Sequence, residues 1–347
     1  MRGRSRRGRD SVAAQRGAVG EAPGGAGIGP GAGLLLVEHP NLNVLSTEVA
    51  LRFYEALGCA RNAGRPMGKT LHSSFVYAVV SCSGGTCGYL TQFHTPSPEN
   101  EAYIAEGGPG SGAQRWRGEI ELLYESQASL DEALARVRGL LGDSLFQSSA
   151  LSTGTTRGGE VSVTCPYGNE FCLRVASPDR RAALGPDAGR QPYSEHSRCV
   201  GIGALTLQVP VGSAAPGARF YEQALGFRTQ ELRPGEWAVL GGPRGDSQRL
   251  VLRDTPGATG KEVGEHVAIY VGDFEGCFLR LLSRGLVWVN PRFKHLDATT
   301  TLEEARKDHC FRFREVVDAE SGAALFELEH EVRSTSHRSC PLHPPKS

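Results

Sequence analysis

Apolar and polar positions along this chain fall into two alternating patterns. One is a short run with period two, as a half-buried strand requires; the other is a longer run with helical spacing. The clearest example is Leu205–Phe227, LTLQVPVGSAAPGARFYEQALGF. Leu205, Leu207 and Val209 alternate with polar residues, a turn follows, and a helix carrying Arg-Phe-Tyr-Glu ends at Gly226. A shortened copy, LNVLSTEVALRFYEALG, occupies Leu42–Gly58. Glycine after the last apolar residue is a helix stop in both copies. An internal repeat of strand plus helix implies a duplicated fold.

The same alternation extends this repeat to four units of the order β-α-β-β-β. The first has a strand at Leu35–Val44, a helix at Thr47–Leu57 and strands near 61–66, 73–81 and 89–94. The second opens at Gly118–Tyr124; Ser129 and Glu132 suggest a capping box, and strands at 144–151, 160–165 and 170–175 follow. The third begins with the repeat itself and adds strands near 229–232, 237–240 and 248–253. The fourth starts at His266–Val271, continues through a helix capped by Asp273, and closes with strands at 286–289, 311–317 and 324–331. The fold class expected is α+β. The domains expected are 34-175 and 200-334, each holding two units, joined by a Pro- and Arg-rich linker at 176-199.

In the four first strands, residues two apart share a face. One face is uniformly apolar: Leu42 and Val44; Ile120 and Leu122; Leu205, Leu207 and Val209; Val267, Ile269 and Val271. It should pack under the helices. The opposite face is wholly or partly polar: His39, Asn41 and Asn43; Glu119 and Glu121; Ala204, Thr206 and Gln208; His266, Ala268 and Tyr270. That face suits a wetter, site-forming surface.

Composition narrows the classes. The 347 residues suffice for two domains, and 38 basic residues balance 38 acidic ones, so no global field favours nucleic acid or an anionic membrane. No apolar run reaches the roughly 18 residues of a spanning helix. Nine cysteines without a C-x-x-C spacing read as reduced thiols; Cys82 and Cys87 could meet across a Gly-Gly turn. Residues 1-33, Arg-rich and then Gly/Ala/Pro-rich, are expected to be a disordered tail or a transit segment, and 335-347 a C-terminal tail. The expectation is a soluble intracellular protein, cytoplasmic or, with a transit segment, organellar. Its oligomeric state is monomer or homodimer.

The β-α-β-β-β order, the Phe-Tyr…Leu-Gly helix end and first strands of the form His-x-x-apolar-x-Val resemble the vicinal-oxygen-chelate superfamily. That group includes glyoxalase I, extradiol dioxygenases and bleomycin-resistance proteins. The resemblance implies two half-open barrels, each built from two modules. It further implies a divalent metal (Fe, Ni, Zn or Mn) held on first and last strands, and a small-molecule substrate with adjacent oxygens. Carried onto this chain, the ligand positions in the first half are His39, Gln92 or His94, and Glu119. Cys172 stands where a terminal glutamate is usual. In the second half they are His266 and Glu327, with Glu329 on the same face and Ala204 where a first histidine would stand. Glu121 is the candidate base. The function implied is a metal-dependent, glyoxalase-like enzyme working through enediolate stabilisation. The alternatives are an extradiol-type Fe(II) dioxygenase and a non-catalytic small-molecule binding protein.

Overall fold

The period-two runs form strands and the helical runs form short helices, in four successive groups. The first is β1 (Leu34–Asn43), α1 (Thr47–Ala56), β2 (Ala60–Arg61), β3 (Ser73–Cys82) and β4 (Gly85–His94). The second is β5 (Gly118–Tyr124), α2 (Gln127–Leu140), β6 (Ala150–Thr153), β7 (Val161–Thr164) and β8 (Glu170–Val175). The third is β9 (Cys199–Val209), α3 (Ala214–Leu225), β10 (Arg228–Arg233), β11 (Glu236–Gly241) and β12 (Gln248–Asp254). The fourth is β13 (His266–Val271), α4 (Phe274–Ser283), α5 (Leu302–Asp308), β14 (Cys310–Val317) and β15 (Ala324–Arg333). This computed structural model describes residues 33–44, 46–61, 73–82, 85–94, 114–153, 161–178, 199–242, 247–291, 294, 298–338 and 340, with backbone only over 73–94. Most of the expected tails and linker, and the side chains of Cys82 and Cys87, fall outside the described residues.

Several local expectations change. The second helix starts one turn earlier, with Ser126 as its cap accepting from the Ser129 amide. Ser129 is thus inside the first turn, and Glu132 pairs instead with Arg136 at 2.8 Å. The strand expected at 144–151 splits into a 3-10 turn, Ser144–Phe146, and β6, because Asp143 caps the turn through the Leu145 amide. The strand expected at 286–289 reduces to a single bridge, Val287 to Phe313. Helix α5, unforeseen, has a reciprocal capping box between Thr301 and Glu304.

In every group the first strand runs parallel to the last: β1 beside β4, β5 beside β8, β9 beside β12, β13 beside β15. The apolar faces pack beneath the helices as the alternation requires. Phe53 and Tyr54 of α1 meet Phe171, and Phe220 of α3 meets Phe313. Each such fully buried aromatic contributes about 2–3 kcal/mol.

How the groups pair differs from the sequence reading. Expected partners were sequence neighbours, first with second and third with fourth. Instead β1 lies antiparallel to β13, and β5 antiparallel to β9. The first group therefore pairs with the fourth, and the second with the third. Two glycines show the fit of these contacts. A Cβ on Gly118 would sit 2.0 Å from the Thr206 carbonyl oxygen, across the β5–β9 ladder. One on Gly241 would sit 2.5 Å from Leu34 Cγ, where β1 meets β11. Beside that junction, buried Gln248 accepts from the Val37 amide at 2.9 Å and donates to the Val37 carbonyl at 3.0 Å. Its amide stands in for a strand partner.

Candidate metal centre

The first–fourth pairing brings His39 and His266 onto one ladder. His39 lies opposite Ala268, and Asn41 opposite His266; the imidazole centroids are 6.2 Å apart. On the other side of β13, Glu329 faces His266 and Glu331 faces Ala268. His39, Ala268 and Glu331 thus form one row across three strands. The alanine methyl leaves room for the two longer side chains to reach each other over it. Ligand atoms of His39, His266 and Glu331 all lie within 4.8 Å of one another. His266 Nε2 is 3.3 Å from Glu331 Oε2. The residues are 1%, 1% and 6% exposed.

A bulge completes the arrangement. Between Val37 and His39, β1 advances two residues while β13 advances one. An extra residue of this kind re-aims side chains, and Glu38 joins His39 on the site face. Glu38 Oε2 stands 3.2 Å from His39 Nδ1 and 2.5 Å from Arg333 Nη1. Arg333 also meets Glu331 at 2.5 Å. Arg312 bridges Glu329 at 2.6 Å and Glu331 at 3.2 Å, and Asn290 donates to Glu329 at 2.7 Å. Burial would raise the Glu331 pKa, but Arg312 and Arg333 outweigh it and hold the carboxyl well below its ordinary range. Burial pushes His266 down, against the pull of Glu329, which favours the neutral imidazole that ligation needs.

The cluster suits a divalent cation on two counts. Bonds of about 2.0–2.2 Å to a shared ion place neighbouring donors about 3–3.5 Å apart, as His266 and Glu331 already are. Charge points the same way: among the described residues, three carboxylates, Glu38, Glu329 and Glu331, pair with two guanidinium groups, Arg312 and Arg333, so with neutral imidazoles one negative charge is in excess. An uncompensated buried charge is costly, and a cation would offset it.

The sequence-derived candidates divide among several places. His39 and His266 converge, although they were assigned to different halves. Glu119 and Glu121 lie on β5, in the second–third pair, with Arg253 at 3.2 Å and Arg174 at 3.2 Å respectively. Glu327 points to Lys261, 2.7 Å away, and Glu331, four residues on, is the glutamate beside the two histidines. Gln92 and His94 have side chains outside the described residues; their backbone lies beside Asn41 and Asn43. Glu38, Glu331, Arg312 and Arg333 were not singled out. Pro40, a residue that central strands avoid, is the one sequence hint of the bulge. The alternation of Glu327, Glu329 and Glu331 shows a shared face but not which of them reaches the histidines.

Glu262, on the approach to β13, is a further buried carboxyl. Its pKa is raised to about 7 by burial and by Glu329 and Glu265, against Arg314. Its charged form is disfavoured in the fold, so stability from this group falls as pH rises from the unfolded value near 4.5 through 7. In metal-free protein, Glu262→Gln is expected to raise stability by up to about 3 kcal/mol at pH 8 and to change little near pH 4.5. Urea unfolding at the two pH values measures this; equal effects at both would remove the assignment.

Residues 202–305 match the family described as the Glyoxalase/Bleomycin resistance protein/Dioxygenase superfamily. Solved structures carry the likeness of fold further along the chain. A presumptive dioxygenase from Bacillus subtilis subsp. subtilis str. 168 is 15% identical, with 88% of this chain and 86% of that one covered, at a TM-score of 0.50. A glyoxalase I point mutant from Zea mays is 13% identical, with 90% and 97% covered, at a TM-score of 0.50. No curated protein sequence matches the chain. No helix among the described residues is long and apolar enough to cross a membrane.

Proposed function

We propose that this protein is a metal-dependent, glyoxalase-like enzyme acting on a small molecule with adjacent oxygens, with its centre between the first and fourth modules. The observation that carries the reading is the buried convergence of His39, His266 and Glu331. A divalent cation held by these three would supply Lewis acidity toward the substrate oxygens. Glu38 orients His39 from the Nδ1 side, leaving Nε2 to ligate. Arg312 and Arg333 fix the Glu331 carboxylate in one rotamer while retaining a lone pair on Oε2. Burial of the whole set excludes bulk water and strengthens each of these interactions. The family match over residues 202–305 supports the substrate class, and the Zea mays glyoxalase I likeness supports only the fold.

A second reading has specific support. Two histidines and one carboxylate are also the donor set of non-haem Fe(II) oxygenases. The two are separated by loading the purified protein anaerobically with Fe, Ni, Zn or Mn and measuring two signals. Solvent deuterium entering the carbon beside the carbonyl of a 2-oxoaldehyde–thiol adduct, without oxygen uptake, is expected. Oxygen uptake with a catechol, and no deuterium incorporation, would select the oxygenase. In either case Glu331→Gln should abolish the signal.

A further inference from the structure

The second–third module pair repeats the geometry of the metal centre with different residues. There Ala204 lies opposite Glu121, and Thr206 opposite Glu119, as His39 lies opposite Ala268 and Asn41 opposite His266. Cys172 faces Glu121 across β5–β8 as Glu331 faces Ala268. The triad is therefore replaced by Ala204, Glu119 and Cys172. The Cys172 thiol is pushed up to about 12 by burial and by Glu121 and Glu119, which favours the neutral form in the metal-free protein. Glu119 is committed to Arg253, which also meets Glu236 at 2.8 Å.

Two features remain on that face. Ala238, Leu240 and Val251 form a buried apolar cluster, with Ala204 and Leu232 packed against it. At its edge is Arg249, paired in register with Ala204 on one side and Leu240 on the other. Arg253 and Arg174 each meet a carboxylate. Arg249 meets none among the described residues, and its Nε is buried without a hydrogen-bond partner. A buried donor left unmet costs free energy, and a guanidinium fork is shaped for a carboxylate. Where the first pair carries His39, the third module presents only the Ala204 methyl beside that fork.

We infer that the second–third module pair is a metal-free binding site for a small apolar carboxylate, its head on Arg249 and its body against Ala204, Leu240 and Val251. Apolar contact supplies the area and the charge-assisted bond fixes orientation, the usual division of labour in ligand sites. The site is independent of the metal centre.

Phenylacetate titrated into the full-length protein, followed calorimetrically, tests this. Binding is expected in wild type, with 2-phenylethanol and acetate each at least tenfold weaker. Arg249→Gln should lose the preference for phenylacetate over the alcohol. Ala204→Leu should weaken both aromatic ligands by filling the space while keeping the charge. His266→Ala should leave phenylacetate binding unchanged. The inference is overturned if wild type does not bind phenylacetate, if Arg249→Gln binds it as tightly as wild type, or if His266→Ala abolishes binding. Thermal unfolding of each variant establishes that it is folded.

Discussion

His266→Ala is expected to lower affinity for a divalent metal by at least about a hundredfold, and His39→Ala to do the same, while Glu119→Gln leaves it unchanged. The equal effect of two residues 227 positions apart follows from the β1–β13 ladder, which sets Asn41 opposite His266 and His39 opposite Ala268. Pairing of sequence neighbours predicts a different pattern, with His39 and Glu119 acting together and His266 apart. Metal content by mass spectrometry after dialysis decides between them. Metal loss in Glu119→Gln together with His39→Ala, but not in His266→Ala, would refute the observed pairing.

Much of this fold was legible because it is local. Strand and helix periods and glycine stops are read within short windows of the chain. The same periods separated the apolar faces from the site faces. What escaped is what long-range contact decides. Nothing within the Leu42–Gly58 repeat specifies whether its strand pairs with the next module or the last. The choice is written in complementary details, such as Gly118 clearing the Thr206 carbonyl and Gly241 clearing Leu34. The candidate cluster was legible in residue type but not in register. The sequence pointed to both histidines and to Glu327, with Glu329 as substitute, whereas parallel β13–β15 pairing sets Glu331 in the row with His39. Glu38 was hidden by the bulge, since strict alternation places it on the apolar face.

The conflict between Ala204 and the expected first histidine is resolved in the same way. Read as one half of a catalytic pair with His266, Ala204 leaves a deficient site. Once the third module is partnered with the second, Ala204 lies away from the candidate metal cluster, and His39 stands beside His266 there instead. The two module pairs share one strand geometry and carry different residues on it. One pair has imidazoles and an excess of negative charge, whereas the other presents arginine beside apolar surface.

Arg333→Met is expected to destabilise the metal-free protein by about 3–5 kcal/mol, a fall in Tm of roughly 10 °C. Arg333 is buried and ion-paired to Glu38 and Glu331, so its loss leaves Glu38 without an arginine partner among the described residues and Arg312 to balance Glu329 and Glu331. The charge that appears is partly recoverable in two ways. Adding Glu38→Gln removes one carboxylate, so the double variant should be more stable than Arg333→Met by itself. A divalent cation at His39, His266 and Glu331 offsets the same excess, so saturating metal should raise the Tm of Arg333→Met by more than it raises that of wild type. Equal metal-induced shifts in the two proteins would show that Arg333 acts by packing on Tyr270, whose ring lies 5.9 Å from the guanidinium, rather than by balancing charge. A larger shift in the variant ties the buried arginine, the carboxylates and the cation into one electrostatic unit.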